Sequence, residues 1–258
     1  MGYAMKTVIS FLFAVLSFLS CVHASAIDIT PSEQAWLDKT QTLKVRITKD
    51  LPPYQFIQDG EYAGISVEYI KFFASLFNLK IEYVTDGSWT EALRRVKTHD
   101  GIDVILRVTP HAEMNQTMLF SKSYCAFPFS LITPNTIKSE NFFDTTPKQI
   151  AIVPHYVINE NLKQDYPHFL YTVYPNSLEA MRAVNNHKVD GFIGDIAIMS
   201  MFVKIYHLDN VRISNVSRYT AEEQSVATAK DWPEFISLFN KMLDSMPADL
   251  HVKIKRKY

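Results

Sequence analysis

Residues Asp103–Tyr124 read DVILRVTPHAEMNQTMLFSKSY. Val104, Ile105 and Leu106 open a short apolar strand, Arg107 sets a charge into it, and Thr109-Pro110 ends it in a turn. A polar stretch follows, then a second segment that closes on Phe120-Ser121-Lys122-Ser123-Tyr124. The layout is strand, turn and second segment, and what flanks it decides the architecture.

On the amino-terminal side, Ile29–Leu37 carries Thr30 as an N-cap, Pro31 at the first helical position and Glu33 three residues after the cap. This is a capping-box pattern and predicts a short helix. Leu43–Ile47 alternates as a strand, which Leu51-Pro52-Pro53-Tyr54 breaks into a loop. Gly60 and Gly64 mark turns around Tyr62. Val67, Ile70, Phe73, Ala74 and Phe77 recur at helical spacing within Ser66–Leu79. Ile81–Val84 reads as a strand, and Thr90–Thr98 as a helix capped near Ser88.

The same rhythm then restarts. Gln149–Val153, Leu170–Tyr174 and Val189–Ile193 read as strands, and Val157–Gln164, Ser177–Asn185 and Asp195–Ile205 as the helices between and after them. Asp231–Met246 is an amphipathic helix with Phe235, Leu238, Phe239, Met242 and Leu243 on one face. Two successive α/β units of this kind predict two lobes, each with a mostly parallel sheet.

Residues 1–26 read as an export signal. Lys6 supplies the positive start, Val8–Leu19 the apolar run and Ala24-Ser25-Ala26 a cleavage site. The run falls short of the roughly 20 residues of a membrane span. Cys21 follows Phe18-Leu19-Ser20, a poor lipoprotein acceptor pattern, so the expectation is cleavage and a periplasmic location rather than lipidation. The whole chain carries 26 Lys and Arg against 27 Asp and Glu, and loss of Lys6 leaves the remainder close to neutral. Such a balance points to neither nucleic acid nor a membrane surface. Cys125 is the one cysteine beyond the signal, which excludes an intrachain disulfide and reads as a small buried hydrophobe. The eight histidines lie at no metal-binding spacing. Catalytic motifs of the GxSxG, HExxH, Cys-His or phosphate-loop kind are absent, so neither a metal nor a cofactor is expected.

Several stretches resemble bacterial periplasmic solute-binding proteins of family 3, in the same order. They are Pro52-Pro53-Tyr54-Gln55-Phe56, Gly64-Ile65-Ser66-Val67-Glu68-Tyr69, Ser88-Trp89-Thr90-Glu91-Ala92-Leu93, Gly101-Ile102-Asp103-Val104-Ile105 and Phe120–Tyr124. Lys188-Val189-Asp190-Gly191-Phe192-Ile193-Gly194-Asp195 and Trp232-Pro233-Glu234-Phe235 continue the series. The opening Thr30–Leu37 run is also similar to periplasmic sensor domains of that family. The resemblance implies the Venus-flytrap fold, type II. Lobe 1 would comprise residues 27–125 and 221–258, and lobe 2 residues 126–220, with two crossings between them. It further implies hinge closure on a small molecule, read by an ABC transporter permease or a membrane sensor, with the chain a monomer.

One family feature is missing. Where relatives carry Thr-Pro-Glu-Arg, with the arginine clamping a ligand carboxylate, Glu113 is followed here by Met114 and Asn115. Asp195 matches the acidic residue that holds a ligand amino group in amino-acid-binding relatives, and a carboxylate at a strand-to-helix junction also serves as a helix cap. Arg107, at the end of its strand, reads either as a bidentate carboxylate clamp or as a salt-bridged rim residue. Thr109 could present its hydroxyl to an anion or simply build the turn. Tyr54, Trp89 and Tyr124 are aromatic candidates for the cleft, set against a core that must use most of the aromatics. His155-Tyr156 stands where relatives have small residues, and Tyr156 is expected to narrow the pocket. Two alternatives remain: an enzyme of this fold resembling cyclic-acid dehydratases, with Asp195 or Glu113 as acid or base, and a sensor lobe pair acting through a protein partner.

Overall fold

The computed structural model describes residues 27–137, 142–154, 156, 158–216, 219 and 221–258. The export signal, Cys21, His155 and the first residue of the helix expected from Val157 lie outside the described residues.

The first sheet is built on three parallel strands, β5 (Lys80–Val84), β1 (Thr42–Arg46) and β6 (Val104–Val108), in that spatial order. Strand β1 buries Leu43 and Val45 and turns Lys44 outward, the alternation of a sheet covered unequally on its two faces. All of β6 is buried except Arg107. Two more strands close the sheet antiparallel: β14 (Glu222–Ala229) pairs with β6, and β7 (Met118–Phe120) pairs with β14. Helix α1 (Pro31–Lys39) begins with the expected capping box, in which Thr30 and Glu33 satisfy each other's backbone N–H groups. Helix α2 (Ile65–Leu76) buries Tyr69, Ile70 and Phe73. Phe73 meets Phe235 and Phe239 of the terminal amphipathic helix (Pro233–Ser245), with centroids 5.2 and 5.4 Å apart. Each such ring contributes roughly 1.5–3 kcal/mol by burial.

The second sheet has the order β11 (Leu170–Val173), β10 (Gln149–Ile152), β12 (Gly191–Asp195), β9 (Phe129–Pro134), β13 (Val211–Asn215). Its first three strands are parallel, β9 runs against them, and β13, antiparallel to β9, runs with them again. The sheets are therefore mixed, where the strand–helix alternation predicted mostly parallel ones. The strands that arrive from the other sheet, β9 and β14, enter against the βαβ direction, and alternation along the chain does not reveal them.

Two short connections join the sheets. Strand β8 (Cys125–Phe127) runs through Pro128 into β9, and β13 leads back to β14. Strands β8 and β14 pair with each other, Glu222 opposite Phe127 and Gln224 opposite Cys125, so both crossings lie side by side. The two-lobed Venus-flytrap architecture follows from this arrangement. A small sheet of β2 (Asp50–Leu51), β3 (Gln55–Gln58) and β4 (Glu61–Ala63) and a final helix (Ala248–Lys257) complete the first lobe.

Candidate functional site

In open α/β sheets, ligands bind outside the carboxyl ends of the strands. Asp195 is the last residue of β12, and Arg107 the penultimate residue of β6. The fold brings these two ends face to face.

Asp195 caps the helix that follows, Ile196–Tyr206: its Oδ1 accepts N–H groups of Ala197 at 2.8 Å and Ile198 at 3.3 Å. Its Oδ2 faces the other lobe. It accepts the Tyr54 hydroxyl at 2.5 Å and lies 3.5 Å from an Arg107 guanidinium nitrogen. One oxygen of the carboxylate thus caps the helix, the bland reading open at the sequence level, and the other reaches across to the first lobe. The Arg107 guanidinium also stands over the Tyr54 ring, 4.5 Å from its centroid, within cation–π range. Tyr54 is fully buried, Asp195 is 6 % exposed and the Arg107 side chain 13 %. Burial first, and the neighbouring Asp195 carboxylate second, hold the Tyr54 phenol protonated well above its ordinary value.

Arg107 reaches the cleft through an irregularity of its strand. Val108 pairs with Ser225 and Ile105 with Ala227, which leaves Leu106 and Arg107 opposite the single residue Val226. This two-against-one count is a β-bulge, a device that re-aims a side chain. Arg107 has φ of 55°, the left-handed region that a non-glycine residue enters at a cost. Tyr124 and Gln55 support the bulge. The Tyr124 hydroxyl accepts the Arg107 backbone N–H at 3.1 Å, and Gln55 Nε2 donates to the Leu106 carbonyl at 3.4 Å.

Tyr54 is held by close backbone approach. Its carbonyl accepts the Ser66 N–H at 3.1 Å, and the Pro53 carbonyl accepts that of Ile65 at 2.8 Å. Gly64 has φ of 121°, and a β-carbon there would collide with the Tyr54 carbonyl, so only glycine permits this seat.

The remaining candidates make contacts of their own. Tyr124 lies beneath the cleft rather than facing it. It is 3 % exposed, bonded to Ser66 Oγ at 2.8 Å and packed against the Tyr69 ring. Its role is to position Arg107. Trp89 packs on the apolar group of Ala92, Val96, Ile105 and Val108 in the first lobe. Thr109 accepts a hydrogen bond from Gln224 Nε2 at 3.3 Å, a contact that ties the turn to the return strand. Tyr156 is half-buried in the second lobe, with its hydroxyl 2.6 Å from Ser177 Oγ. Glu113 is exposed on the short helical turn Ala112–Asn115, and Met114 packs inward on the same apolar group as Trp89. Asp190 accepts the Gln149 N–H at 2.7 Å and so ties the starts of β10 and β12 together. Sequence reasoning missed Gln55, Gln224 and Ser66, whose only signal was a polar residue beside a predicted strand or helix end.

Among the described residues, no group of three His, Cys, Asp or Glu side chains could hold a metal ion. Burial pushes the Cys125 thiol up to about 12, which leaves it unreactive at neutral pH. A carboxylate, a guanidinium and an aromatic face thus converge from two lobes.

Residues 43–258 match the bacterial extracellular solute-binding proteins, family 3, and the chain belongs to that family. Among curated proteins, it is similar to the virulence sensor protein BvgS of Bordetella bronchiseptica, 23 % identical over 214 residues. That match covers 83 % of this chain and 17 % of BvgS. It is also similar to the sensor protein EvgS of Escherichia coli, 19 % identical over 233 residues, 90 % of this chain and 19 % of EvgS. The chain thus spans under a fifth of the length of these relatives. Among solved structures, the periplasmic VFT2 domain of Bordetella pertussis BvgS superposes with a TM-score of 0.81 at 20 % identity, covering 90 % of this chain and 99 % of that one. The substrate-binding protein of an amino acid ABC transporter gives 0.72 at 18 % identity, covering 84 % and 98 %.

Proposed function

We propose that the protein is a periplasmic solute-recognition module that captures a small polar metabolite between its lobes and performs no chemistry on it. Hinge closure would carry the signal to a membrane partner. The observation that supports this is the meeting of Asp195 from one lobe with Arg107 and Tyr54 from the other. A solute that engages Asp195 on one side and Arg107 on the other draws both lobes together, and a ligand shifts such an equilibrium by its preference for the closed state. The paired β8 and β14 crossings form a narrow hinge about which the lobes can turn. Because the curated relatives are sensor proteins, we favour a membrane sensor over a transporter permease as the partner.

Thermal-shift screening of the mature protein against amino acids, organic acids, amines and sugars tests the reading. At least one compound is expected to raise the melting temperature without being consumed. Asp195→Asn keeps a capping oxygen but loses the charge. It is expected to weaken such a compound about 30-fold, the worth of a charged hydrogen bond near 2 kcal/mol. A flat response across the panel, or an equal response in Asp195→Asn, would overturn the proposal.

A further inference from the structure

A carboxylate beside an aromatic face makes a seat for an organic cation, because the anion and the ring quadrupole both favour positive charge. Tyr54 and Asp195 build such a seat across the cleft, and the Arg107 guanidinium sits in it. It lies 4.5 Å from the ring centroid and 3.5 Å from the carboxylate. We propose that Arg107 is a tethered internal ligand: its guanidinium occupies the cation seat and holds the two lobes together in the absence of any solute. The inference rests on Asp195 and Tyr54 being the cleft anchors, as proposed above.

Four features set Arg107 apart from an ordinary rim ion pair. Its strand carries a bulge at this residue, and its backbone is left-handed at a non-glycine position. Both turn the side chain away from the path that a regular strand would give it. The deviation is supported by buried Tyr124, whose hydroxyl accepts the Arg107 N–H. Finally, the guanidinium reaches a carboxylate of the opposite lobe. A side chain that only needed charge compensation could find it on the lobe's own surface. This one is aimed across the cleft, and an incoming solute must part it from Asp195 before it can bridge the two groups.

The test uses the mature protein, Arg107→Ala, and two small probes of like shape. Ethylguanidinium carries the charge and ethylurea does not. Small-angle scattering of the unsubstituted protein in solute-free buffer is expected to give a compact, two-lobed particle. Arg107→Ala is expected to be larger, with unchanged far-UV circular dichroism. Millimolar ethylguanidinium should return it to the compact form and raise its melting temperature in a dose-dependent way. Ethylurea should do neither, and Asp195→Asn combined with Arg107→Ala should not respond to either probe. If Arg107→Ala fails to fold, Arg107→Gln, neutral and of similar reach, serves for the same comparison.

A variant as compact as the parent overturns the proposal, as does equal rescue by both probes. These outcomes are separable from the solute reading. Rescue in the variant alongside a flat solute screen would sink the solute reading alone. A compact Arg107→Ala alongside a positive screen would sink only the tethered ligand.

Discussion

The hydroxyl of Tyr124 accepts the backbone N–H of Arg107 at 3.1 Å, and so a fully enclosed aromatic of the first lobe fixes the one bulged residue that crosses to the second. The same hydroxyl lies 2.8 Å from Ser66 Oγ at the start of α2, the helix whose entry also anchors the Tyr54 loop. Both halves of the first-lobe contribution to the cleft therefore hang on one phenol.

Tyr124→Phe keeps the ring packing and removes that acceptor. The buried Arg107 N–H is then left without its bond, at a cost of about 1–3 kcal/mol. Urea unfolding should show the midpoint falling by the corresponding amount, and an unmoved midpoint would show that the hydroxyl supports nothing.

The left-handed conformation of Arg107 predicts an unusual ranking among substitutions. Arg107→Asn and Arg107→Val both remove the guanidinium, so the charge pair is lost equally. Asparagine tolerates positive φ and a β-branched valine does not. The valine variant should be less stable than the asparagine variant by about 1 kcal/mol or more in chemical unfolding. The opposite order would mean that the strand relaxes to a regular path once the side chain is gone.

What the sequence disclosed here has a physical boundary. Local devices were readable: the Thr30–Glu33 capping box, the Ser88 cap and the capping role of Asp195 each depend on residues a few positions apart. Arg107 stood out as a charge in an apolar strand. Its bulge did not, because that depends on how β14, more than a hundred residues later, registers against β6. The contact between Tyr54 and Asp195 spans 141 positions and has no local signature. Tyr124 shows the same limit. An aromatic beside a family motif can face the cleft or support it, and composition carries no direction. Helix Ala248–Lys257 was passed over because it buries only Ile254 and is otherwise rich in lysine and arginine.

Glu33 gives the fold an acid-sensitive fastening. Burial pushes its pKa upward, but hydrogen bonds from Lys241, Ser237 and Thr30 outweigh that and bring it from the ordinary 4.5 down to about 2. Lys241 Nζ lies 2.7 Å from Oε2 and Ser237 Oγ 2.6 Å from Oε1, so the cap of α1 is clamped to the helix Pro233–Ser245. A carboxyl group depressed in the folded state stabilises the protein above its unfolded pKa, and this contribution disappears as pH falls from about 4.5 towards 2. The linkage is worth about 2–3 kcal/mol at neutral pH. Unfolding curves at pH 7, 4.5 and 2.5 should show Glu33→Gln less stable than the parent at pH 7, with the gap reduced to roughly a quarter at pH 2.5. A constant gap across the series would contradict this.

The central claim is that Asp195 joins the two lobes, and the distance between the lobes tests it most directly. Cys125 is buried, so cysteines introduced at exposed Lys49 and Val173 can be spin-labelled selectively. They mark the carboxyl ends of β1 and β11 on opposite sides of the cleft. Pulsed dipolar measurement should give a short, narrow distance distribution in the parent, and a longer, broader one in Asp195→Asn. Identical distributions in the two proteins would show that the lobes are held by something other than the Asp195 contacts with Tyr54 and Arg107, and the account would fail.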